Sequence, residues 1–373
     1  MEGSTMASST PQLESRPNIP PATNQGPQSP QIPQITINIG SGRFARMLCW
    51  VGWTGFFLCA LLLIGRSLAS NDYFSNSPDV DEKYHSGSRT GKNKVAIISV
   101  SGTILDGSYV KQQVDRARQD ENVKALVLRV VSPGGTITGS DYIYHHLTKL
   151  RQEKDQIPLV VSMGSVAASG GYYVAMAVGD QKDAIFAEPT TWTGSIGVLI
   201  PHYDVSGLLA RFDVKDDTLA THPRKQLMSM TQPISDDHRQ LLQGYLGEAF
   251  ARFKTVIREG RPAFRKTPAV LDELATGEIF TANQALKHGL IDKIGFLEDA
   301  VERAMQLANL DENETCVVEY QRLPSLLAIP FLSEGRSAEK ELAKLLDMNT
   351  PQAFYLASTF PALLTTWRTA AEE

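Results

Sequence analysis

Four short apolar runs punctuate the middle of the chain: VAIISV (95–100), ALVLRVV (125–131), PLVVSM (158–163) and AIFAE (184–188). Each is continuous rather than alternating, the pattern of a strand covered on both faces. The intervening stretches 109–119 and 138–152 carry apolar residues at helical spacing. Strands separated by helices predict an α/β domain with a parallel sheet. From Ser235 the period lengthens. Leu242, Tyr245, Leu246, Ala249, Phe250, Phe253, Val256 and Ile257 recur as one stripe of a long helix. Ser235 followed by Asp236 and Asp237 predicts an N-cap with favourable charge, and Gly260 predicts the stop. The stripe reads as core packing, and a helix this long also suits a subunit interface.

The flanks read differently. Residues 1–42 are rich in Pro, Ser, Asn and Gln and predict a disordered tail, because such a segment buries too little apolar surface to offset its ordering entropy. Residues 47–65, MLCWVGWTGFFLCALLLIG, carry no charge and are long enough for a transmembrane helix. Arg43 and Arg46 precede the run, and Asp72, Asp79, Asp81 and Glu82 follow it, which predicts a cytoplasmic N-terminus and an extracytoplasmic catalytic domain. Cleavage after Ser67-Leu68-Ala69 is the rival. The run is longer than a signal-peptide core, so a retained anchor is the preferred reading. Polar residues 67–91 predict a linker, 92–310 the folded domain and 311–373 a less regular C-terminal extension. Within the extension, AFYLASTFPALL (353–364) is apolar but too short to span a membrane. It suits packing on the domain, on a neighbouring subunit or on a lipid surface.

Composition narrows the chemistry. A net charge of −5, with no long basic stripe, gives no nucleic-acid signature. Three cysteines without a CxxC spacing exclude a disulfide framework and a thiolate metal site, and no cofactor is expected.

Two glycine-rich turns remain. Ser132-Pro133-Gly134-Gly135 follows the strand ALVLRVV and precedes a helix, so its bare N–H groups can face a developing anion. An ordinary Pro-Gly turn has the same composition. GSVAASGGYY (164–173) sets Ser169 between two alanines and two glycines, at a strand-to-helix turn. A helix cap would need the serine but not the small flanking residues, which suggest a close approach to the backbone. A serine hydroxyl needs a base. His146, His202 and His222 are present and nothing singles one out. A neutral lysine can replace histidine. Lys225 stands beside Arg224 and Leu227, yet spacing alone does not select it.

The segments VAIISVSGTI, VKALVLRVVSPGG, VAASGGYYVAM, TGSIGV, HPRKQLMSM and TGEIFTANQALKHGLIDKIGFLEDA occur in one order between about Lys94 and Met305. In that order they resemble the signal peptide peptidase A (SppA) family of membrane-anchored serine peptidases. Clp proteases and crotonases share the SPGG-like turn. A Clp protease, however, has a histidine where TGSIGV stands, and a crotonase has no nucleophilic serine in the second loop. The resemblance implies a Clp-protease/crotonase-like domain of repeated ββα units in a superhelix, with an added helical region. It implies Ser169 as nucleophile, Lys225 as general base and Ser195 as the hydroxyl that positions the lysine. The oxyanion donors would be the Gly170 amide and either Gly134 or Gly135. GDQKDAIF (179–186) is longer than the family's usual join. Long members hold two tandem copies, with the lysine and the serine in different halves. With one copy here, the resemblance implies a homo-oligomer, an octamer by analogy, that shares its dyad between subunits. The expected substrates are peptides, namely cleaved signal peptides at the membrane. A crotonase-like lyase or isomerase acting on acyl thioesters and a catalytically silent membrane scaffold are the alternatives.

Overall fold

The computed structural model describes residues 50–61, 80–322 and 354–356. Residues 50–61 form helix α1, which is apolar and exposed, with Trp53 against Phe56 and Phe57. Among the described residues no helix is long and apolar enough to cross a membrane. Residues 47–49 and 62–65 of the predicted span lie outside the described residues, as do 1–42.

A second unit begins at Asn71. Its first half runs β1 (Val80–Gly87), β2 (Asn93–Ser101), α2 (Ser108–Gln119), β3 (Val123–Ser132), β4 (Gly134–Thr136), α3 (Ile137–Glu153), β5 (Leu159–Ala168) and α4 (Gly170–Ala175). There follow β6 (Ile185–Ala187), β7 (Trp192–Gly194), α5 (Ser206–Arg211), α6 (Asp236–Gly260), α7 (Pro262–Lys266) and α8 (Pro268–Leu274). The last elements are β8 (Ile279–Thr281), α9 (Ala282–Lys287), β9 (Lys293–Ile294), α10 (Leu297–Leu307), β10 (Thr315–Arg322) and β11 (Phe354–Leu356).

The main sheet has the order β1-β10-β2-β3-β5-β6-β9, and β7 joins β5 to β8. All pairs from β10 through β9 are parallel, whereas β1–β10 and β7–β8 are antiparallel. The four apolar runs are β2, β3, β5 and β6, the centre of the sheet. Val95–Ile98, Ala125–Leu128 and Leu159–Val161 are fully buried because α2, α4 and α10 pack against them. Fully burying one such aliphatic side chain stabilises the fold by roughly 1.5–3 kcal/mol.

The sheet extends beyond 92–310 at both ends. Within the stretch predicted as linker, residues 80–87 form β1, and within the predicted extension residues 315–322 form β10. β1 is a polar edge strand, anchored where Glu82 meets Lys94 and Arg116. Its charge hides it from an apolar-run criterion.

Helix α6 begins as its sequence predicts, with the Ser235 hydroxyl accepting from the His238 N–H at 3.3 Å. Its stripe is divided. Phe253, Val256 and Ile257 enter the core, while Tyr245, nearer the N-terminus, is 51% exposed. Burial therefore accounts for the second half of the helix and, in the first half, for Leu242. The preceding arm is also open. α5 buries no residue, and Tyr203, Phe212 and Leu219 are 70%, 73% and 94% exposed.

Candidate active site

β5 ends at Ala168, and the chain turns into α4 through Ser169, whose φ of 53° lies in the left-handed region. A non-glycine residue at such a turn is strained by about 1–3 kcal/mol, and the surrounding contacts must hold it there. They do. The Ser169 N–H donates to the Gly194 carbonyl at 2.8 Å, and its carbonyl accepts from the Tyr173 N–H at 2.8 Å. The Ser169 hydroxyl caps nothing. Oγ is buried and has no hydrogen-bond partner among the described residues. Burying an unpaired hydroxyl costs free energy, which makes this oxygen a candidate for a functional group.

The small residues beside Ser169 answer to a close approach from β4 and the start of α3. A Cβ on Gly170 would stand 2.5 Å from Ser140 Oγ and 3.1 Å from both Gly134 Cα and the Gly135 nitrogen. One on Gly171 would meet the Ser132 carbonyl oxygen at 2.8 Å. Gly170 opens α4, and the first N–H groups of a helix have no intrahelical acceptor. Its nitrogen lies 2.8 Å from where a Gly134 Cβ would stand.

The hydrogen bonds around β4 separate the two glycines. The Gly134 N–H is engaged by the Ser132 hydroxyl at 3.1 Å. The Gly134 carbonyl accepts from the Ile104 N–H at 2.8 Å, and the Thr136 N–H donates to the Ile104 carbonyl at 2.7 Å. Both neighbours of Gly135 thus face Ile104, and strand alternation turns the backbone groups of Gly135 to the opposite side. Gly134 permits a close approach instead, with the Tyr355 carbonyl oxygen 2.1 Å from where its Cβ would be. It has φ of 104°, and a Cβ there would stand 2.8 Å from the Gly170 nitrogen and 3.1 Å from Ser169 Cβ.

β7 brings in the TGSIGV loop. Ala168 pairs with Gly194, and the Thr193 hydroxyl donates to the Ala167 carbonyl at 2.7 Å. Ser195 follows directly, nearly buried, with φ of 50° and its N–H on the Glu278 carbonyl at 2.6 Å.

Lys225 is elsewhere. It lies exposed on a short 3-10 turn, Pro223–Gln226, and its ammonium makes no hydrogen bond or ion pair among the described residues. One chain thus brings Ser169, Ser195, Gly134, Gly135 and Gly170 together and does not bring Lys225 to Ser169. Two of the three candidate histidines are engaged otherwise. His202 Nε2 meets the Ser229 carbonyl at 3.0 Å, and His222 Nδ1 accepts from the Arg224 N–H. His146 lies on α3 against Tyr142, its Nδ1 buried without a hydrogen-bond partner among the described residues; burial, then neighbouring His145 and Lys111, holds its imidazole below the usual histidine range. Among the described residues, no cluster of three or more His, Cys, Asp or Glu is placed to hold a metal ion.

Sequence reasoning took Ser132 only as part of its turn, where its hydroxyl engages the Gly134 N–H, and missed Ser140, whose hydroxyl donates to the Thr136 carbonyl and sits against Gly170. It also missed Tyr173, whose hydroxyl donates to Asp141, itself paired with Arg252 at 2.9 Å. Burial and then the Asp141 carboxylate push the Tyr173 phenol far up. Its position four residues after Ser169 is a helical spacing, the one signal that could have pointed to it.

Comparison with known proteins bears on this site. Residues 151–311 match peptidase family S49, a span that holds Ser169, Ser195 and Lys225. Protease 4 of Salmonella typhi is 32% identical over 70% of this chain and 46% of its own length. An Enterococcus faecium protein provisionally named signal peptide peptidase SppA is 34% identical over 67% of this chain and 73% of its own. Serine protease SPPA, chloroplastic, of Arabidopsis thaliana is 29% identical over 67% of this chain and 39% of its own. The chain thus spans about half the length of several curated relatives it matches.

Proposed function

This chain belongs to peptidase family S49, and we propose that it is a membrane-anchored serine endopeptidase that degrades remnant signal peptides through an acyl-enzyme. One observation carries the reading: the buried, unpartnered Ser169 hydroxyl beside the amides of Gly135 and Gly170. In this reading Ser169 Oγ attacks a peptide carbonyl, and its proton passes to a neutral lysine. The Gly135 and Gly170 N–H groups receive the oxyanion, and the bare Cα of Gly134 lets the carbonyl approach. The lysine then protonates the leaving amine, and water releases the acyl group. Because the base must start neutral, activity rises toward alkaline pH.

We assign the base to Lys225 of a neighbouring copy, with Ser195 orienting it. The exposed Lys225 turn and the uncovered Tyr203, Phe212 and Leu219 support a second subunit on this arm. A ring of eight is the assembly the family resemblance suggests. The unit β3-β4-α3 supports the Clp-protease/crotonase-like superhelix. The uncharged run 47–65, containing the all-round apolar α1, supports a membrane anchor with a cytoplasmic N-terminus and an extracytoplasmic catalytic domain.

Mass-spectrometric mapping of a serine-reactive probe tests the reading. Ser169 is expected to carry the adduct in the wild type, with labelling slowed at least about a hundredfold in Lys225→Ala. Full activity in Lys225→Ala would sink the dyad. Mixed rings of Ser169→Ala and Lys225→Ala chains are expected to recover activity at junctions holding both wild-type residues. No recovery in verified mixed rings would sink the sharing.

A further inference from the structure

Three residues of α3, Tyr144, Thr148 and Arg151, follow one another at positions i, i+4 and i+7 and share one helix face. They line a cavity of about 510 Å³, a volume that suits a small molecule. Met176 and Ala177, in the 3-10 turn after α4, also line it, as does Glu259 near the end of α6. The turn 179–181 completes it. Ser169 immediately precedes α4, so the cavity lies at the other end of that helix from the candidate nucleophile.

Two opposite charges in this cavity lack counter-charges. The Arg151 guanidinium reaches only neutral acceptors, the Ala177 carbonyl at 3.0 Å from Nη1 and the Ile157 carbonyl at 3.5 Å from Nε. It makes no ion pair among the described residues. Burial holds it below the usual arginine range, and only the Tyr144 oxygen acts against that. Gly179 makes room for it: with φ of 64°, a Cβ there would stand 2.6 Å from Nη1. Glu259 accepts from the Tyr144 hydroxyl at 2.6 Å and likewise makes no ion pair among the described residues. Arg252, whose field it shares, is paired with Asp141 at 2.9 Å instead. Asp180, the other carboxylate at the cavity, is paired with Arg265. Between Tyr144 and Arg151 on the stripe, the Thr148 hydroxyl is buried with no hydrogen-bond partner among the described residues. Partly buried charges among neutral neighbours are costly, and a ligand of complementary charge removes that cost.

The spacing selects the ligand. Tyr144, which carries Glu259, and Arg151 are two turns apart on α3, about 10 Å at 1.5 Å per residue. A simple anion would answer Arg151 and be repelled by Glu259. A free amino acid carries both charges on one carbon. Two residues, at about 3.5 Å each, set an ammonium and a carboxylate far enough apart to meet both ends. We propose that this cavity binds a free apolar dipeptide, its carboxylate on Arg151 and its ammonium on Glu259. The Thr148 hydroxyl meets the peptide group between them, and Met176, Ala177 and the Tyr144 ring give its side chains apolar contact. The inference stands on these residues and does not rest on the serine-peptidase reading.

The test uses the full-length chain with Ser169→Ala, so that no peptide is turned over, and leucyl-leucine as the probe in isothermal titration calorimetry. Binding is expected to weaken at least about tenfold in Arg151→Gln and in Glu259→Gln, each losing one charge-assisted contact. Acetylating the dipeptide removes its ammonium and amidating it removes its carboxylate, and each is expected to cost as much with the cavity unaltered. In Glu259→Gln, acetylation should cost nothing further while amidation still does, and in Arg151→Gln the reverse. The blocked dipeptides probe the same contacts without altering the protein, so a variant that fails to fold leaves the test intact. Binding indifferent to both blocking groups, or to both substitutions, overturns the proposal and puts the dipeptide in the Ser169 cleft or elsewhere. Dependence on Arg151 and the carboxylate alone overturns it in favour of a simple anion site. No binding at millimolar dipeptide also overturns it.

Discussion

The amide of Ser169 is hydrogen-bonded to the carbonyl of Gly194 at 2.8 Å, so the strand end that carries the candidate nucleophile and the strand end that carries Ser195 are one rigid object. Ser195 in turn is held from the other side by the Glu278 carbonyl. A side chain fixed this way can orient a base arriving from outside the chain at little entropic cost. Ser195→Ala is expected to lower kcat about tenfold to a hundredfold with KM unchanged. The check is steady-state kinetics across pH. A parallel loss of kcat, KM and melting temperature would mark Ser195 as merely structural.

In the serine-peptidase reading, the bare Cα of Gly134 is what lets a carbonyl oxygen approach Ser169; the Tyr355 carbonyl oxygen stands 2.1 Å from where a Cβ would be. Gly134→Ala puts a methyl 2.8 Å from the Gly170 nitrogen, on a φ of 104° that alanine rarely adopts. Probe labelling of Ser169 is expected to fall by about a thousandfold, the scale of losing oxyanion stabilisation. Urea unfolding should show a cost of at least about 1–3 kcal/mol from backbone strain, with the Tyr355 carbonyl, 2.1 Å from the added methyl, forced to move. Near-wild-type labelling would mean the carbonyl approaches by another route.

These two glycines also mark where the sequence stops being legible. β2, β3, β5 and β6 could be read directly, because a strand covered on both faces has to be continuously apolar. The α6 N-cap was legible because Ser-Asp-Asp is a local signal. Gly134 and Gly135 are identical in composition, and only the bonds to Ser132 and Ile104 tell them apart. β1 hid behind its charges, and β4 and β11 are each three residues long, stabilised by non-local pairing. Lys225 could be chosen only by resemblance, and within one chain no contact of its side chain replaces that argument.

The join of α6 to the sheet depends on one carboxylate. Asp292 accepts from Arg261 at 2.7 Å and from the N–H groups of Ala184 and Ile185, each at 2.9 Å. Arg261 also donates to the Gly289 carbonyl. Asp292→Ala orphans two backbone donors and leaves a largely buried guanidinium without its counter-charge. The expected cost is about 3–5 kcal/mol by urea titration. A loss under about 1 kcal/mol would mean water replaces all three bonds.

The last prediction concerns the loop that carries Lys225. Asp216 closes it: its carboxylate accepts from the Thr218 N–H at 2.9 Å and the Thr218 hydroxyl, and from Thr231 and Gln232 at 2.5 and 3.0 Å. One side chain therefore ties the start of the segment to its end, with Lys225 between. The Thr218 hydroxyl first, then the Thr231 hydroxyl and the Thr218 amide, hold the Asp216 carboxyl down to about 2 from its ordinary 3.8. A depressed folded-state value means the clasp is fully present above about pH 4 and is lost as pH falls toward 2. Amide hydrogen-exchange protection over 217–232, taken relative to the intrinsic rate at each pH, is expected to be high at pH 5 and to fall on acidification through that window. Asp216→Asn keeps the shape but swaps an acceptor for a donor, and should show fast exchange at pH 5 as well. If Lys225 serves the site of a neighbour, the same variant lowers kcat about tenfold, because a base on a loosened loop is misplaced more often than not. Unchanged exchange in Asp216→Asn would show that the loop is held by other contacts, and the kinetic expectation would fall with it.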